Sequence, residues 1–314
     1  MPKGTLFSYR ACLEGGVFDG ILTCMATLDN AARPHLLLET KTHQFFYCWW
    51  ENGWKLEEVP LNSMNHPAKF TVDASGQTHF LIIGKTSQHL TYGQGTWTLN
   101  ELPYLPGGIE IVFFEGRHEN DILFYYAVLK QGEKIVYGTT YMGQNNTWNP
   151  PRQISLLPPA ASVSVWPGRE ITHLLAWEEK NAALTFSYFQ YNACGEEVVK
   201  TDLPGLPGPL TSGPVLLAVH GELMLLWSAG GELSLARSFD RGRSWEEPQK
   251  SPAFAPAEIT AVQTFAGPSN QIIALLKACG LSLEVPLILG VRHLKTLFYP
   301  AHPRFPRRLA IDPL

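Results

Sequence analysis

Cysteine is scarce. The 314 residues hold five (Cys12, Cys24, Cys48, Cys194, Cys279), odd in number and without a Cys-x-x-Cys pair. This excludes a disulfide framework and a structural zinc site. It leaves buried free thiols in a reducing compartment as the expectation. No apolar run approaches the ~20 residues that a spanning helix needs, so no membrane contact is expected. The opening Met-Pro-Lys-Gly leads into no long apolar core with a small-residue cleavage site. No secretory leader is expected, and the cytoplasm is the expected location. Excess positive charge is also missing. The net charge is −4 and the pI is near 6.2, with no basic stripe interleaved with aromatics, which argues against a nucleic-acid partner. Long helical periodicity, Gly-x-Ser-x-Gly and phosphate-loop patterns are absent. Nothing implies a cofactor, and no His-x-x-x-His spacing implies a metal.

What the chain does have is a repeat. An apolar strand, a polar turn and a second apolar strand recur six times, the second strands opening at His35, His79, Asp121, His173, Glu222 and Gln271, in steps of 44, 42, 52, 49 and 49 residues. Ala26-Thr27-Leu28-Asp29 before His35-Leu36-Leu37-Leu38 parallels Phe70-Thr71-Val72-Asp73 before His79-Phe80-Leu81-Ile82. Third strands follow, such as Phe45–Trp50 and Leu184–Tyr191, and a fourth often opens on tryptophan: Trp54, Trp97, Trp148, Trp245. Periods of this length belong to propellers and solenoids, and four antiparallel strands make a propeller blade. The expected fold is all-β, a single domain over residues 1–314 built as a six-bladed β-propeller. The recurring tryptophan is expected to plug the space between blades. Thr5–Tyr9 is expected to pair into the last blade, closing the ring and removing an open edge. Leu203–Pro214 reads as a linker-like crossover.

Ser238-Phe239-Asp240-Arg241-Gly242-Arg243-Ser244-Trp245 matches Ser-x-Asp-x-Gly-x-Ser/Thr-Trp, with Ser238, Asp240, Gly242, Ser244 and Trp245 at the fixed positions. An aspartate in a turn accepts nearby amide hydrogens, and glycine permits left-handed backbone. Tyr141–Trp148 and Tyr92–Trp97 are faded copies. The motif resembles the Asp-box, or BNR repeat, of the sialidase-like propeller superfamily, where it is a turn staple opposite the usual active site. The resemblance implies three arginines clamping a sugar carboxylate, with a tyrosine–glutamate nucleophile and an acid/base aspartate. The early arginines, Arg10 and Arg33, do not sit in the Arg-Ile-Pro segment that the family carries, and no triad or catalytic residue can be assigned.

A ligand is therefore expected at the channel mouth, where second-to-third strand loops carry Lys41, Lys85, Lys130, Lys180 and Lys277, with His43 and His89 beside the first two. Converging cations attract an anionic ligand. His35, His79 and His173 read as polar strand starts rather than metal ligands, and Asp29 and Asp73 as turn formers. A non-catalytic binding or scaffold protein is the leading expectation, with an unidentified protein or an anionic or carbohydrate ligand as partner. Scaffolding would call for an exposed apolar patch, with Trp49, Trp50 and Trp166 as candidates. The alternative is a sialidase-like glycoside hydrolase acting on an anionic sugar, which needs two facing carboxylates.

Overall fold

The computed structural model describes residues 21–29, 31, 33–61, 66–84, 87–102, 105–116, 121–168, 170–180, 183–192, 195–207, 210–219, 222–229, 232–250, 258–266, 272–279 and 285–290. Among them there is no helix, and the strands form six antiparallel sheets in chain order. Sheet 1 holds β1 (Ile21–Leu28), β2 (Pro34–Thr40), β3 (Phe45–Trp50) and β4 (Trp54–Glu58). Sheet 2 holds β5 (His66–Val72), β6 (Thr78–Ile83), β7 (Gln88–Gly93) and β8 (Thr96–Glu101). Sheet 3 holds β9 (Glu110–Gly116), β10 (Ile122–Lys130), β11 (Glu133–Met142), β12 (Thr147–Trp148) and β13 (Arg152–Leu157). Sheet 4 holds β14 (Ser162–Pro167), β15 (Ile171–Lys180), β16 (Ala183–Asn192) and β17 (Glu197–Pro207). Sheet 5 holds β18 (Leu210–Val219), β19 (Glu222–Ala229), β20 (Glu232–Ser238) and β21 (Gln249–Lys250). Sheet 6 has three described strands, β22 (Glu258–Ala266), β23 (Ile272–Cys279) and β24 (Val285–Gly290).

The first strands of successive sheets lie against one another, β1 on β5, β5 on β9, β9 on β14, β14 on β18 and β18 on β22. Second strands are therefore covered on both faces. β2 and β6 are almost wholly buried, whereas the outer strand β4 is largely exposed. At Gly116 the backbones of sheets 2 and 3 meet. Its amide donates to Thr71 Oγ1 at 3.1 Å, and a Cβ there would lie 2.7 Å from the Val72 carbonyl oxygen. Only glycine allows that approach.

Two expectations change and two fall elsewhere. Leu203–Pro214 is not a linker, because β17 runs through Pro207 and β18 starts at Leu210. Pro204 and Pro207 are tolerated because β17 is an edge strand, where a missing amide donor costs no ladder bond. Trp166 is no surface candidate, being 5% exposed in the core between sheets 4 and 5, while Trp50 is 38% exposed. Thr5–Tyr9 and the expected last strand near Leu294–Tyr299 lie outside the described residues.

A repeated contact joins the sheets. Tyr47, His89 and Tyr188 hold the same third-strand position, three residues before the residues that pair with Trp54, Trp97 and Glu197. Each meets a tryptophan of the next sheet edge-on: Tyr47 with Trp97 at 6.4 Å, His89 with Trp148 at 5.2 Å and Tyr188 with Trp245 at 5.6 Å between ring centres. Edge-to-face pairs of this kind are favoured by the ring quadrupoles.

Behind each lies a second-strand histidine. His35 Nδ1 bonds Tyr47 Oη at 2.6 Å, His173 Nδ1 bonds Tyr188 Oη at 2.7 Å, and His79 Nδ1 bonds His89 Nε2 at 2.9 Å. These histidines are 0–9% exposed, so the polar strand starts are members of a buried network. His79 Nε2 in turn meets Asp73 Oδ2 at 3.1 Å, while Asp73 Oδ1 accepts the amides of Ser75 and Gln77. Asp29 repeats the turn, accepting from Ala31 and Arg33. Burial opposes ionisation of Asp29, but the nearby His35 ring at 3.5 Å and hydrogen bonds from Arg33 prevail and hold its pKa at about 2.

The turn 238–245 is built the same way. Asp240 Oδ1 accepts the Ser244 amide at 2.9 Å and Oδ2 its hydroxyl at 2.6 Å, and Ser238 Oγ accepts the Gly242 amide at 2.7 Å. Gly242 has φ 87° and lies directly under the Tyr188 ring, so an added Cβ would fall 2.0 Å from Tyr188 Cε1. Gly242→Ala combines overpacking with backbone strain. It is expected to cost about 3 kcal/mol, measured by urea denaturation against the parent chain.

The buried histidines also make the fold acid-sensitive. Burial pushes His89 down to about 2, with His79 adding to it, and pushes His173 down to about 4. The unfolded chain binds these protons near pH 6.5 and the folded one refuses them. Their stabilisation is thus complete above that pH and is lost as pH falls. The two together are expected to remove about 3 kcal/mol between about pH 7.5 and about pH 5.5. Denaturant midpoints at the two pH values measure this, and His89→Tyr, which restores the residue used in sheets 1 and 4, is expected to halve the loss.

Candidate ligand-binding groove

The junction of sheets 3 and 4 breaks this pattern on both sides. In sheet 3 the third-strand position three before the tryptophan partner Tyr141 is Gly138. The Tyr125 ring from the second strand covers it, and a Cβ there would sit 2.9 Å from Tyr125 Cε1. Tyr125 Oη reaches Thr172 Oγ1 at 3.3 Å, where Tyr47 Oη reaches Thr78 Oγ1 at 2.6 Å in sheet 2. In sheet 4 the ladder position opposite Tyr191 belongs to Glu197. Trp97 and Trp148 fill that place opposite Tyr92 and Tyr141. Sheet 4 therefore has no plug, and a groove of about 510 Å³ opens there.

The outer strand of sheet 3 forms one wall. Its ladder runs Tyr141 to Trp148, then breaks at Asn149-Pro150-Pro151 and resumes as β13 on β11. The two prolines cannot donate to the ladder. Asn149 bridges the gap, donating its amide to the Thr140 carbonyl and accepting from Thr139 Oγ1. The floor is apolar: Ala176, Phe189 and Tyr191, the two rings stacked at 6.3 Å. Tyr191 Oη donates to Ser155 Oγ of β13 at 2.7 Å, tying floor to wall.

The rim is polar, with Glu178, Thr185, Ser187, Glu197 and Lys200. Ser187 Oγ donates to Asp202 Oδ1 at 2.6 Å. Lys200 Nζ stands 5.5 Å from the centre of the Phe189 ring. An apolar floor with a few polar groups around it is the usual make-up of a small-molecule site.

The sequence-derived site residues lie elsewhere. Lys41 and His43 are exposed at the β2–β3 turn, and His43 Nδ1 meets Glu39 Oε1 at 2.8 Å. Lys130 is exposed at the end of β10. Lys180 ends β15, and Lys277 lies within β23 opposite Ala261 and Pro286 rather than in a loop. Lys85 is outside the described residues. His89 is not a loop residue but a fully buried member of β7, held by its contacts with His79 and Trp148. The groove itself was missed, although part of its signal was present: no tryptophan opens the fourth strand of unit four, as none opens that of unit six. Among the described residues no cluster of histidine, cysteine or carboxylate side chains is arranged to hold a metal ion.

No protein-family profile matches the chain, and no curated protein matches it in sequence. Solved structures match in fold. Trypanosoma rangeli sialidase in complex with the inhibitor DANA has TM-score 0.53 at 8% identity, over 89% of this chain and 56% of that one. A mutant of the Aleuria aurantia lectin AAL, in complex with Fucalpha1-6GlcNAc, has TM-score 0.52 at 13% identity, over 86% of this chain and 95% of that one. AofleA from Arthrobotrys oligospora has TM-score 0.51 at 9% identity, over 86% of each chain.

The fold is a sialidase-like β-propeller.

At these identities the likeness is one of fold alone. Within the propeller, the ladder position of Glu197 makes a direct test of the plug. Glu197→Trp is expected to seat an indole over Tyr191 and raise stability by about 1 kcal/mol through added apolar burial. Urea denaturation measures it, and a marked loss of stability would show that the position is not a plug site.

Proposed function

We propose that this protein is a non-catalytic, carbohydrate-binding propeller whose ligand sits in the groove between sheets 3 and 4. One observation carries the reading: at the junction of sheets 3 and 4 Glu197 stands where a tryptophan plug stands in sheets 2 and 3, and a cavity floored by aromatic rings and edged by hydrogen-bonding side chains opens there. The apolar face of a sugar ring suits such a floor, and its hydroxyls suit Thr185, Ser187 and Glu197 at the rim. Two of the fold neighbours support the choice of ligand class, a lectin in complex with a fucose-containing disaccharide and a sialidase in complex with sialic acid.

The same proposal includes a closed ring of six blades and Ser238–Trp245 as an Asp-box staple. In such a ring the turns near Lys41 and Lys130 would share one face. A cationic rim there remains a proposal for anionic ligands. The groove is preferred because it offers a concave volume, whereas Lys41 and Lys130 are exposed turn cations.

Screening the intact chain against a glycan panel tests the reading. The expected result is binding without turnover, weakened at least tenfold by Glu197→Trp with the fold intact. Undiminished binding by that variant would remove the groove from the mechanism. Release of cleaved sugar would replace the binding reading with hydrolysis by paired carboxylates.

A further inference from the structure

We infer that the preferred sugar carries a free amino group, held as an ammonium over the Phe189 ring. This rests on the groove being the carbohydrate site, and adds to it the charge of the ligand.

The groove already holds one cation in that place. Lys200 Nζ lies 5.5 Å from the Phe189 ring centre, within the range where a ring face attracts an ammonium. Lys200 belongs to β17, the outermost strand of its sheet, and is exposed. Its flexible stem can swing into solvent at little cost. A ligand ammonium arriving from the open side would find the same ring face.

Two carboxylates line the cavity as well, Glu178 and Glu197. Glu178 is 9% exposed, and a carboxylate in such a wall projects its field into the groove more strongly than one in bulk water. Against them stand Lys200 itself and Arg152, whose guanidinium packs on Gly195 at the groove's end. Once a ligand cation displaces Lys200, the carboxylates outnumber the one remaining cation. A sugar acid would face the opposite balance, meeting Glu178 and Glu197 with like charge. An uncharged sugar can donate hydroxyl hydrogens to the carboxylates, but it brings no charge for them or for the ring quadrupole to attract. The aromatic floor, the two carboxylates and a displaceable internal ammonium together describe a site for an amino sugar.

The test is calorimetric titration with three trisaccharides: fully deacetylated chitotriose, its N-acetylated form and maltotriose. The deacetylated sugar is expected to bind at least tenfold tighter than the other two. Glu197→Gln is expected to erase most of that preference, with thermal unfolding confirming that it folds. Lys200→Ala is expected to strengthen binding of the deacetylated sugar about threefold by removing the internal competitor. Equal affinity for the acetylated and deacetylated forms overturns the inference, as does weaker binding by Lys200→Ala. If another glycan binds and Glu197→Trp blocks it while the amino sugar does not bind, only this inference falls. If no glycan shows binding sensitive to Glu197→Trp, the groove reading falls with it.

Discussion

The contact between a third-strand ring and the tryptophan of the next sheet is what the rest of the molecule depends on. Individual sheets of four strands have two apolar faces and no means of covering them alone. Trp97, Trp148 and Trp245 each carry a large apolar surface across the junction and meet Tyr47, His89 and Tyr188 edge-on. The tyrosines also satisfy histidines buried one layer further in. One position therefore handles two demands, apolar coverage between sheets and hydrogen bonding within a sheet.

That arrangement explains why so much polar chemistry lies buried in a fold otherwise made of valine, leucine and aromatic residues. Asp73, His79 and His89 form an unbroken chain inside sheet 2. If the Asp73 carboxylate accepts the His79 Nε2 proton, His79 Nδ1 must accept from His89 Nε2, and His89 Nδ1 carries only a lone pair. That nitrogen has no partner among the described residues. Tyrosine at the same place in sheets 1 and 4 has no second ring nitrogen to leave unpaired. Sheet 2 thus bears the weakest form of the junction, since an unsatisfied buried acceptor costs about 1–3 kcal/mol.

Much of the fold was legible because its period is carried by residues that the architecture cannot replace cheaply. The apolar second strands around Leu37, Leu81 and Leu175 have to be buried on both faces, so they read as unbroken hydrophobic runs. The aspartates of the turns were legible too, since Asp29, Asp73 and Asp240 each bond amides within four residues. The histidines were read less well. Whether a histidine at a strand start faces solvent or a tyrosine two places along the neighbouring strand depends on register, which the spacing of repeats does not resolve. His89 failed for the same reason, because a strand beginning one or two residues earlier turned a loop residue into a core one. Leu203–Pro214 misled through composition, since prolines at an edge look like prolines in a linker.

The groove is a different case. It follows from what one unit omits rather than from any motif it contains. Glu197 opposite Tyr191 is an ordinary surface residue by composition, and it gains meaning only beside Trp97 and Trp148 at the same ladder position. Omitting a plug at a junction of a repeat leaves its apolar lining with less cover, which lowers stability. The compensations at that junction are consistent with this. Tyr125 reaches across from another strand to bond Thr172, and Tyr191 is tied to Ser155. These bonds hold the two sheets together without the indole. The cavity is thereby kept open by structure on both sides, at a place where the repeat departs from its own rule.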